Sequence, residues 1–390
     1  MAILSALVGS TAPSPLYGLY QANLHFSSTT LTSLFAVYAI GVLLALGILG
    51  KLSDRLDDRR FVIVPALLVV AAGSLVFAFS EQLSGLFLGR FLAGVGTGAL
   101  TGSANAALVG FDAQDRKRHA AVLATVSFTC GAALGPVLSS IALGLELYPT
   151  LSPFIFNASL ALMTAIGLCR LEWNEKVVQP LGKTADSGLP RTAFSEQMRG
   201  NWPAFTRISF VLVVAWSVGS VFVALGPSMI ISTMSSASLG SHASAGLLVT
   251  AFQATAGMTQ FVCRRVSPSY AMRSGGALLC VAWLGCLAAL YLHQPLIFVF
   301  FTMLAGIGYG ATFVGAMGVF TTLAPSAHRA ALGSLFYLAG YLGSAIGIIA
   351  MGAAVDLFGF VSASALMLVV VGSSLAYLLS GNLKSCRSAE

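Results

Sequence analysis

Apolar runs of about twenty residues recur from one end of this chain to the other, with short polar segments between them. A run of that length crosses the hydrocarbon core of a bilayer as one helix. No other feature limits the fold so tightly, because lipid admits only structures that satisfy their own backbone hydrogen bonds. Charge is as scarce as such a fold requires: Asp, Glu, Lys and Arg make up 8% of the 390 residues, against about 25% in a soluble domain. The 20 basic and 13 acidic side chains cannot cover the surface of a 40.3 kDa globule. With 57% hydrophobic residues and a mean hydropathy of +0.89, the chain has no room for a large soluble domain.

Runs bounded by charge and turn residues lie near 1–22, 31–51, 61–80, 84–110, 118–144, 152–171, 204–232, 243–263, 271–292, 295–322, 329–353 and 359–380, twelve in all. The one long polar stretch, 172–203, holds Pro, Gly and charges of both signs. It reads as a linker between an N-terminal unit, 1–171, and a C-terminal unit, 204–390. On this map all of the 20 Lys and Arg residues except Arg90 fall in or beside every second loop, or in the C-terminal tail. Cytoplasmic loops hold the excess of Lys and Arg, so both termini are expected in the cytoplasm. The net charge of +7 is therefore a topology signal. A nucleic-acid partner would need a basic face on a folded domain, whereas these clusters sit between apolar runs. No Lys or Arg precedes the first run, which is unusual for a cytoplasmic N-terminus and fits a native start upstream of Met1.

The chain also repeats itself. Leu92-Ala93-Gly94-Val95-Gly96-Thr97-Gly98-Ala99 matches Leu304-Ala305-Gly306-Ile307-Gly308-Tyr309-Gly310-Ala311 at an offset of 212 residues. Gly131 and Gly135 fall on Gly343 and Gly347 at the same offset. Parallel six-helix repeats of this kind set two bundles around a central cavity, the geometry that lets a carrier rock between two open states.

Between the second and third spans stands Gly50-Lys51-Leu52-Ser53-Asp54-Arg55-Leu56-Asp57-Asp58-Arg59-Arg60. Here the chain resembles the major facilitator superfamily. The family's signature in this loop is a Gly, three residues, Asp-Arg, one residue, a Gly, one residue and two basics. Gly50, Asp54, Arg55, Arg59 and Arg60 match it, and Asp57 stands where the family has Gly. The resemblance implies a cytoplasmic gate that Asp54 locks by facing the N-terminus of the eleventh span, where the helix dipole favours an anion. A loop that only set topology would account for the basics and leave the Gly and Asp spacing unexplained.

Arg90 followed by Gly94, Gly96 and Gly98 in the fourth span is similar to the family's second signature, an Arg before a Gly-rich helix. An Arg inside a membrane helix costs about 2.5–3.5 kcal/mol on insertion scales, so it normally faces a cavity or a partner. The competing reading is an Arg that snorkels along about 9 Å of helix to the headgroups. Arg90, Gly94, Thr97, Thr101 and Asn105 share one helical face, which is expected to line the cavity. Gly131-Ala132-Ala133-Leu134-Gly135-Pro136 in the fifth span resembles the signature concentrated among the family's proton-exchanging exporters. Gly131 and Gly135 allow close helix contact, and Pro136 removes a backbone hydrogen bond and bends the helix. The family pattern continues with paired Gly where this chain has Ser139-Ser140.

Further polar faces carry Ser10, Ser14, Tyr17 and Gln21 in the first span, which Pro13 and Pro15 bend. Trp216, Ser217 and Ser220 stand in the seventh, Thr250, Gln253, Gly257 and Gln260 in the eighth, and Tyr337, Tyr341 and Ser344 in the eleventh. The resemblance implies that these spans border the cavity; the same residues would also serve as hydrogen-bonding glue between helices. The second half lacks the charge machinery of the first: Cys263-Arg264-Arg265 has no acid beside it, and Arg90 falls on Thr302 at the repeat offset. No Asp or Glu lies at mid-depth in any span, Asp356 being a helix-end residue. A proton carrier usually needs such an acid or a His, so proton coupling rests on the resemblance alone.

The six cysteines show no metal-ligand spacing, and Gly47-Ile48-Leu49-Gly50-Lys51-Leu52 is too short for a P-loop and lacks Ser or Thr after its Lys. No metal, cofactor or catalytic cluster is expected, and the chain is not read as an enzyme. These readings predict an all-α polytopic membrane protein of twelve transmembrane helices in two six-helix bundles, a monomer in a bacterial inner membrane. The expected function is secondary transport by alternating access, exporting small amphipathic or drug-like molecules in exchange for protons. The alternative is a carrier of an organic anion, a sugar or another metabolite, import included, with Arg90, or Asn105, Gln253 and Gln260, at the substrate.

Overall fold

The structure is a computed structural model and describes residues 1–53, 58–111, 117–171, 201–234, 239–324 and 329–380. Every regular element among these residues is helical. In chain order they are α1 (Ala2–Thr11), α2 (Tyr17–Leu24), α3 (Ser28–Ser53), α4 (Arg60–Ala78), α5 (Leu83–Phe111), α6 (Lys117–Gly144), α7 (Ser152–Arg170), α8 (Trp202–Ala224), α9 (Gly226–Ile231), α10 (Leu239–Val262), α11 (Pro268–Tyr291), α12 (Pro295–Leu323) and α13 (Arg329–Leu379). Among the described residues nine helices are long and apolar enough to cross a membrane.

Three departures from regular spans have local causes. The first run divides into α1 and α2 around Pro13 and Pro15, where the missing N–H groups end the helix and a short 3-10 turn, Ser14–Leu16, intervenes. The seventh run divides at Gly226-Pro227, with the proline in the first turn of α9. α13 breaks at Gly359, whose φ of 78° a side chain would strain, and so forms two arms, 329–358 and 360–379. α8 starts at Trp202, with Pro203 in its first turn, so the second unit begins two residues before the expected 204. Residues 172–200 of the expected linker lie outside the described residues.

The repeat seen in the sequence is a repeat of packing. Within the first half, Gly94 and Gly98 of α5 press on the carbonyls of Tyr38 and Val42 in α3; at the repeat offset, Gly306 and Gly310 of α12 press on those of Phe252 and Ala256 in α10. Gly131 and Gly135 of α6 meet the α1 backbone at Leu4 and Val8, while Gly343 and Gly347 of α13 meet Val213 and Ser217 of α8. A Cβ on Gly98 would stand 2.6 Å from the Val42 oxygen, and one on Gly131 2.6 Å from the Leu4 oxygen. Such contacts permit only glycine, because backbone cannot step aside as a side chain can.

The core divides along the helix axes. At the end where Arg60, Arg170, Arg207 and Arg264 lie, each half has its own apolar cluster, Ile3 to Ala165 in one and Phe205 to Leu378 in the other. At the opposite end, whose loops and helix ends have no Lys or Arg among the described residues, one cluster joins the halves. There Leu16, Tyr17, Leu31 and Leu34 pack with Val218, Phe222, Leu248 and Met351. Burying apolar surface across both halves seals that end of the seam.

Candidate substrate cavity

A cavity of ≈ 180 Å³ lies in the seam just beyond the sealed end and runs towards the Lys/Arg-rich end. Six helices present one face each to it at steps of three and four residues, the spacing that keeps side chains on one side of a helix. α8 contributes Trp216, Gly219, Ser220 and Val223, and α10 contributes Gln253, Ala256, Gly257 and Gln260. Leu7, Ser10 and Thr11 come from α1, Phe35, Tyr38 and Ala39 from α3, Phe128, Thr129 and Ala132 from α6, and Tyr341 and Ser344 from α13. Tyr309 of α12 completes the lining. No charged side chain is part of it among the described residues. Aromatic rings, hydroxyls and two carboxamides make up its chemistry.

Trp216 is the centre of an aromatic group. Tyr341 meets its ring edge-on at 4.8 Å, Phe313 stacks at 6.0 Å and Tyr337 tilts against it at 6.0 Å. Tyr337 is thus behind Trp216 and supports the wall without being part of the lining. Rings held by other rings keep their orientation, which gives a planar guest a fixed stacking surface.

Arg90 is not in the lining. It is 1% exposed and turned inward, so the snorkelling reading is overturned. Its Nη1 donates to the Ser10 carbonyl at 2.6 Å. The guanidinium carbon lies 4.8 Å from the Tyr38 ring, 5.4 Å from that of Phe35 and 6.0 Å from that of Tyr17. Nε and Nη2 have no hydrogen-bond partner. The cation thus stands one layer behind the cavity, and Ser10, Phe35 and Tyr38 touch both it and the open space.

The rest of the expected α5 face is also covered. Thr97 is buried and donates to Ala93 O at 2.8 Å, and Thr101 donates to Thr97 O at 2.7 Å, so both hydroxyls are satisfied within their own helix. α1 lies over this face, with the Ala6 carbonyl 3.4 Å from the Thr97 hydroxyl. Asn105 is on α5, and its side chain lies outside the described residues. Ser14 and Tyr17 are buried near the sealed end, and Gln21 is half-buried beyond it; none lines the cavity. Ser217 bonds back to Val213 O at 2.8 Å. Pro136 sits inside an unbroken α6 and leaves the Ala132 carbonyl without its helical donor.

Of the loop motif, Asp54 and Arg55 lie outside the described residues, and Gly50 ends in the last turn of α3. Arg59 precedes α4 directly. Arg60 pairs with Asp58 at 2.7 Å and donates to the Leu171 carbonyl at 3.1 Å, which ties the start of α4 to the end of α7. The hydrogen bond from Arg60 holds the Asp58 carboxyl below the usual carboxylate range.

Phe35, Tyr38, Thr129 and Tyr309 line the cavity without having stood out in the sequence. For Tyr309 a signal existed: it occupies the repeat position of Thr97 and breaks an otherwise small-residue match.

The family model of the Major Facilitator Superfamily matches residues 1–234 and 216–384. The chain belongs to the major facilitator superfamily. Among relatives, this superfamily member is 28% identical to the class C tetracycline resistance protein of Escherichia coli over 193 residues, 45% of this chain and 48% of that protein. The chain therefore spans about half the length of that relative. It is 27% identical to the multidrug resistance protein MdtL of Klebsiella pneumoniae over 326 residues, covering 81% of this chain and 76% of MdtL. Two solved structures share the fold at 12% identity. One is a bacterial homolog of the human lysosomal transporter Spinster, inward-facing and occupied, with a TM-score of 0.79 and coverage of 97% and 94% of the two chains. The other is a D-xylose-proton symporter, with a TM-score of 0.77 and coverage of 97% and 95%.

Proposed function

We propose that this superfamily member is a secondary active transporter, not an enzyme, that exports small, uncharged amphipathic molecules by alternating access. The observation that supports this most is a seam cavity whose lining combines Trp216, Tyr341, Tyr309, Phe35 and Tyr38 with Gln253, Gln260 and hydroxyls, and has no charge among the described residues. Such walls reward apolar, planar cargo through stacking, and let the carboxamides meet a few polar groups. The names of the tetracycline and multidrug resistance relatives agree with export. On this reading the polypeptide crosses the bacterial inner membrane twelve times as two six-helix units, 1–171 and 204–390, with both termini cytoplasmic. Counting α1 with α2, α10, and the two arms of α13 as crossings turns nine long apolar helices into twelve. The sealed end is then periplasmic and the conformation inward-facing. Asp54 and Arg55 belong to the opposite, cytoplasmic gate, and protons exchange for cargo in a monomer.

A second reading has one observation in its favour. Arg90 keeps two unpartnered guanidinium nitrogens a single layer behind the lining. Rotation of Phe35 or Tyr38 would expose a desolvated cation to an organic anion, and Gln253 and Gln260 would suit sugar hydroxyls. Accumulation of a dye, a neutral antibiotic, a sugar and an organic acid in efflux-deficient cells, with and without an uncoupler, separates the readings. Lower accumulation of the dye or antibiotic that the uncoupler restores supports proton-driven export. Increased accumulation of the organic acid alone moves the Arg90 reading to the front.

A further inference from the structure

Where the halves meet at the sealed end, a carboxylate from one half caps a helix of the other. Asp356, in the last turn before Gly359, accepts hydrogen bonds from the backbone N–H of Ser28 at 2.8 Å and of Thr29 at 2.8 Å. It also accepts one from the Thr29 hydroxyl at 2.6 Å. Ser27 supplies the remaining cap, its hydroxyl accepting the Thr30 N–H at 3.2 Å. The first turn of α3 therefore depends on residues of both halves for the donors that every helix start leaves free.

Asp356 is badly placed for its own helix. An acidic side chain at a helix C-terminus faces the negative end of the dipole and is destabilising there. No basic residue in the neighbouring turn offsets it: residues 351–360 read Met-Gly-Ala-Ala-Val-Asp-Leu-Phe-Gly-Phe. Its favourable partner is the positive N-terminus of α3, 328 residues earlier in the chain. The approach is built in one turn before it, at Gly352, where a Cβ would stand 2.7 Å from the Ser28 carbonyl. Gly352 and Asp356 share one face, the first admitting the α3 backbone and the second bonding to it.

We propose that Asp356 is a gate-positioning residue, a latch whose bonds to Ser28 and Thr29 hold the sealed end closed and break each time the cavity opens to that side. The inference rests on the transport reading above in one respect only, that the two halves separate at this end during the cycle. The latch opposes opening and is remade on closure, so it sets the balance between the two states without touching cargo.

The test is conformational. Spin labels on cysteines introduced at Gln82 and Gln294, both exposed at the sealed end and outside the latch, report the distance between the halves in a chain whose six native cysteines are replaced. Loss of charge-assisted bonds in Asp356→Ala should raise the ratio of the open to the closed population in the distance distribution about tenfold. Asp356→Asn, which keeps the shape and loses the charge, should give a smaller rise in the same direction. A distance distribution identical to wild type in both variants overturns the latch. Since no cargo enters the measurement, a chain that exports none of the panel compounds and still opens in Asp356→Ala supports the latch and refutes only the export reading.

Discussion

Gln253→Glu is the most direct test of a cavity selective for uncharged cargo. The substitution keeps the side chain's shape and puts one carboxylate among rings and hydroxyls that have no charge to oppose it. A cargo cation about 5 Å away would gain about 3.3 kcal/mol at an effective dielectric of 20, roughly two hundredfold in affinity. Dehydrating the new carboxylate and the residual water of a ≈ 180 Å³ cavity oppose that gain, which leaves an expected improvement of about tenfold. Neutral cargo should be exported less well, because the carboxylate no longer offers the amide's donor. The assay compares accumulation of a lipophilic cation and a neutral compound in efflux-deficient cells expressing either form at equal levels. Gln294→Glu, on an exposed residue just ahead of α12, is the control and should change neither. Unchanged handling of both compounds by Gln253→Glu would refute the argument, since the new side chain differs from the amide in charge when ionised and in its hydrogen-bond donors when protonated.

Three further outcomes follow from the packing. Gly94→Ala drives a Cβ into the Tyr38 backbone and should cost about 1–3 kcal/mol in thermal unfolding, whereas Gly102→Ala, with nothing within 4 Å, should be neutral or stabilising. Arg90→Lys retains the charge and loses the planar face that stacks on Tyr38 and Phe35, so transport should fall about tenfold at unchanged expression; kinetics equal to wild type would remove Arg90 from function. Asp58 has a lowered folded pKa, so its tie to Arg60 contributes in full above 3.8, its ordinary value, and is lost as pH falls through the lowered one. Asp58→Asn should therefore reduce stability by about 1 kcal/mol or less at neutral pH and not at all in acid, as read by thermal unfolding at both.

The period and spacing of apolar residues were enough to locate the helices, and the 212-residue repeat located the glycine contacts that join α3 to α5 and α10 to α12. The candidate site was harder to read. Helical spacing groups Arg90, Thr97 and Thr101 on one face and does not say what covers it; here the broken first span supplies α1, which covers that face and offers the Ser10 carbonyl to Arg90. Hydroxyls that bond back to the preceding turn look the same in sequence as hydroxyls that await a substrate. Phe35 and Tyr38 resemble core residues in an apolar run, and Asp356 reads as a plain helix end because its partners lie 327 and 328 residues away.

The repeat also explains why the cavity is unequal in its two halves. Gly94 and Gly98 and their counterparts Gly306 and Gly310 make matching backbone contacts, so both halves must keep them to hold the same helix pair. The residues between those glycines are free of that demand, and they differ. Thr97 is consumed by its own helix, while its counterpart Tyr309 lines the cavity. Arg90 is caged behind the first-half wall, while its counterpart Thr302 is buried and bonded to Phe298 O at 2.8 Å. The fold is thus set by what the halves share and the cargo by what they do not, which predicts that Tyr309→Phe, keeping the ring that packs on Phe252 and Phe313 and removing its hydroxyl, would leave insertion intact and alter selectivity. Panel accumulation and detergent stability measured on Tyr309→Phe check both parts, and a loss of stability without any change in selectivity would show that the tyrosine is scaffold after all.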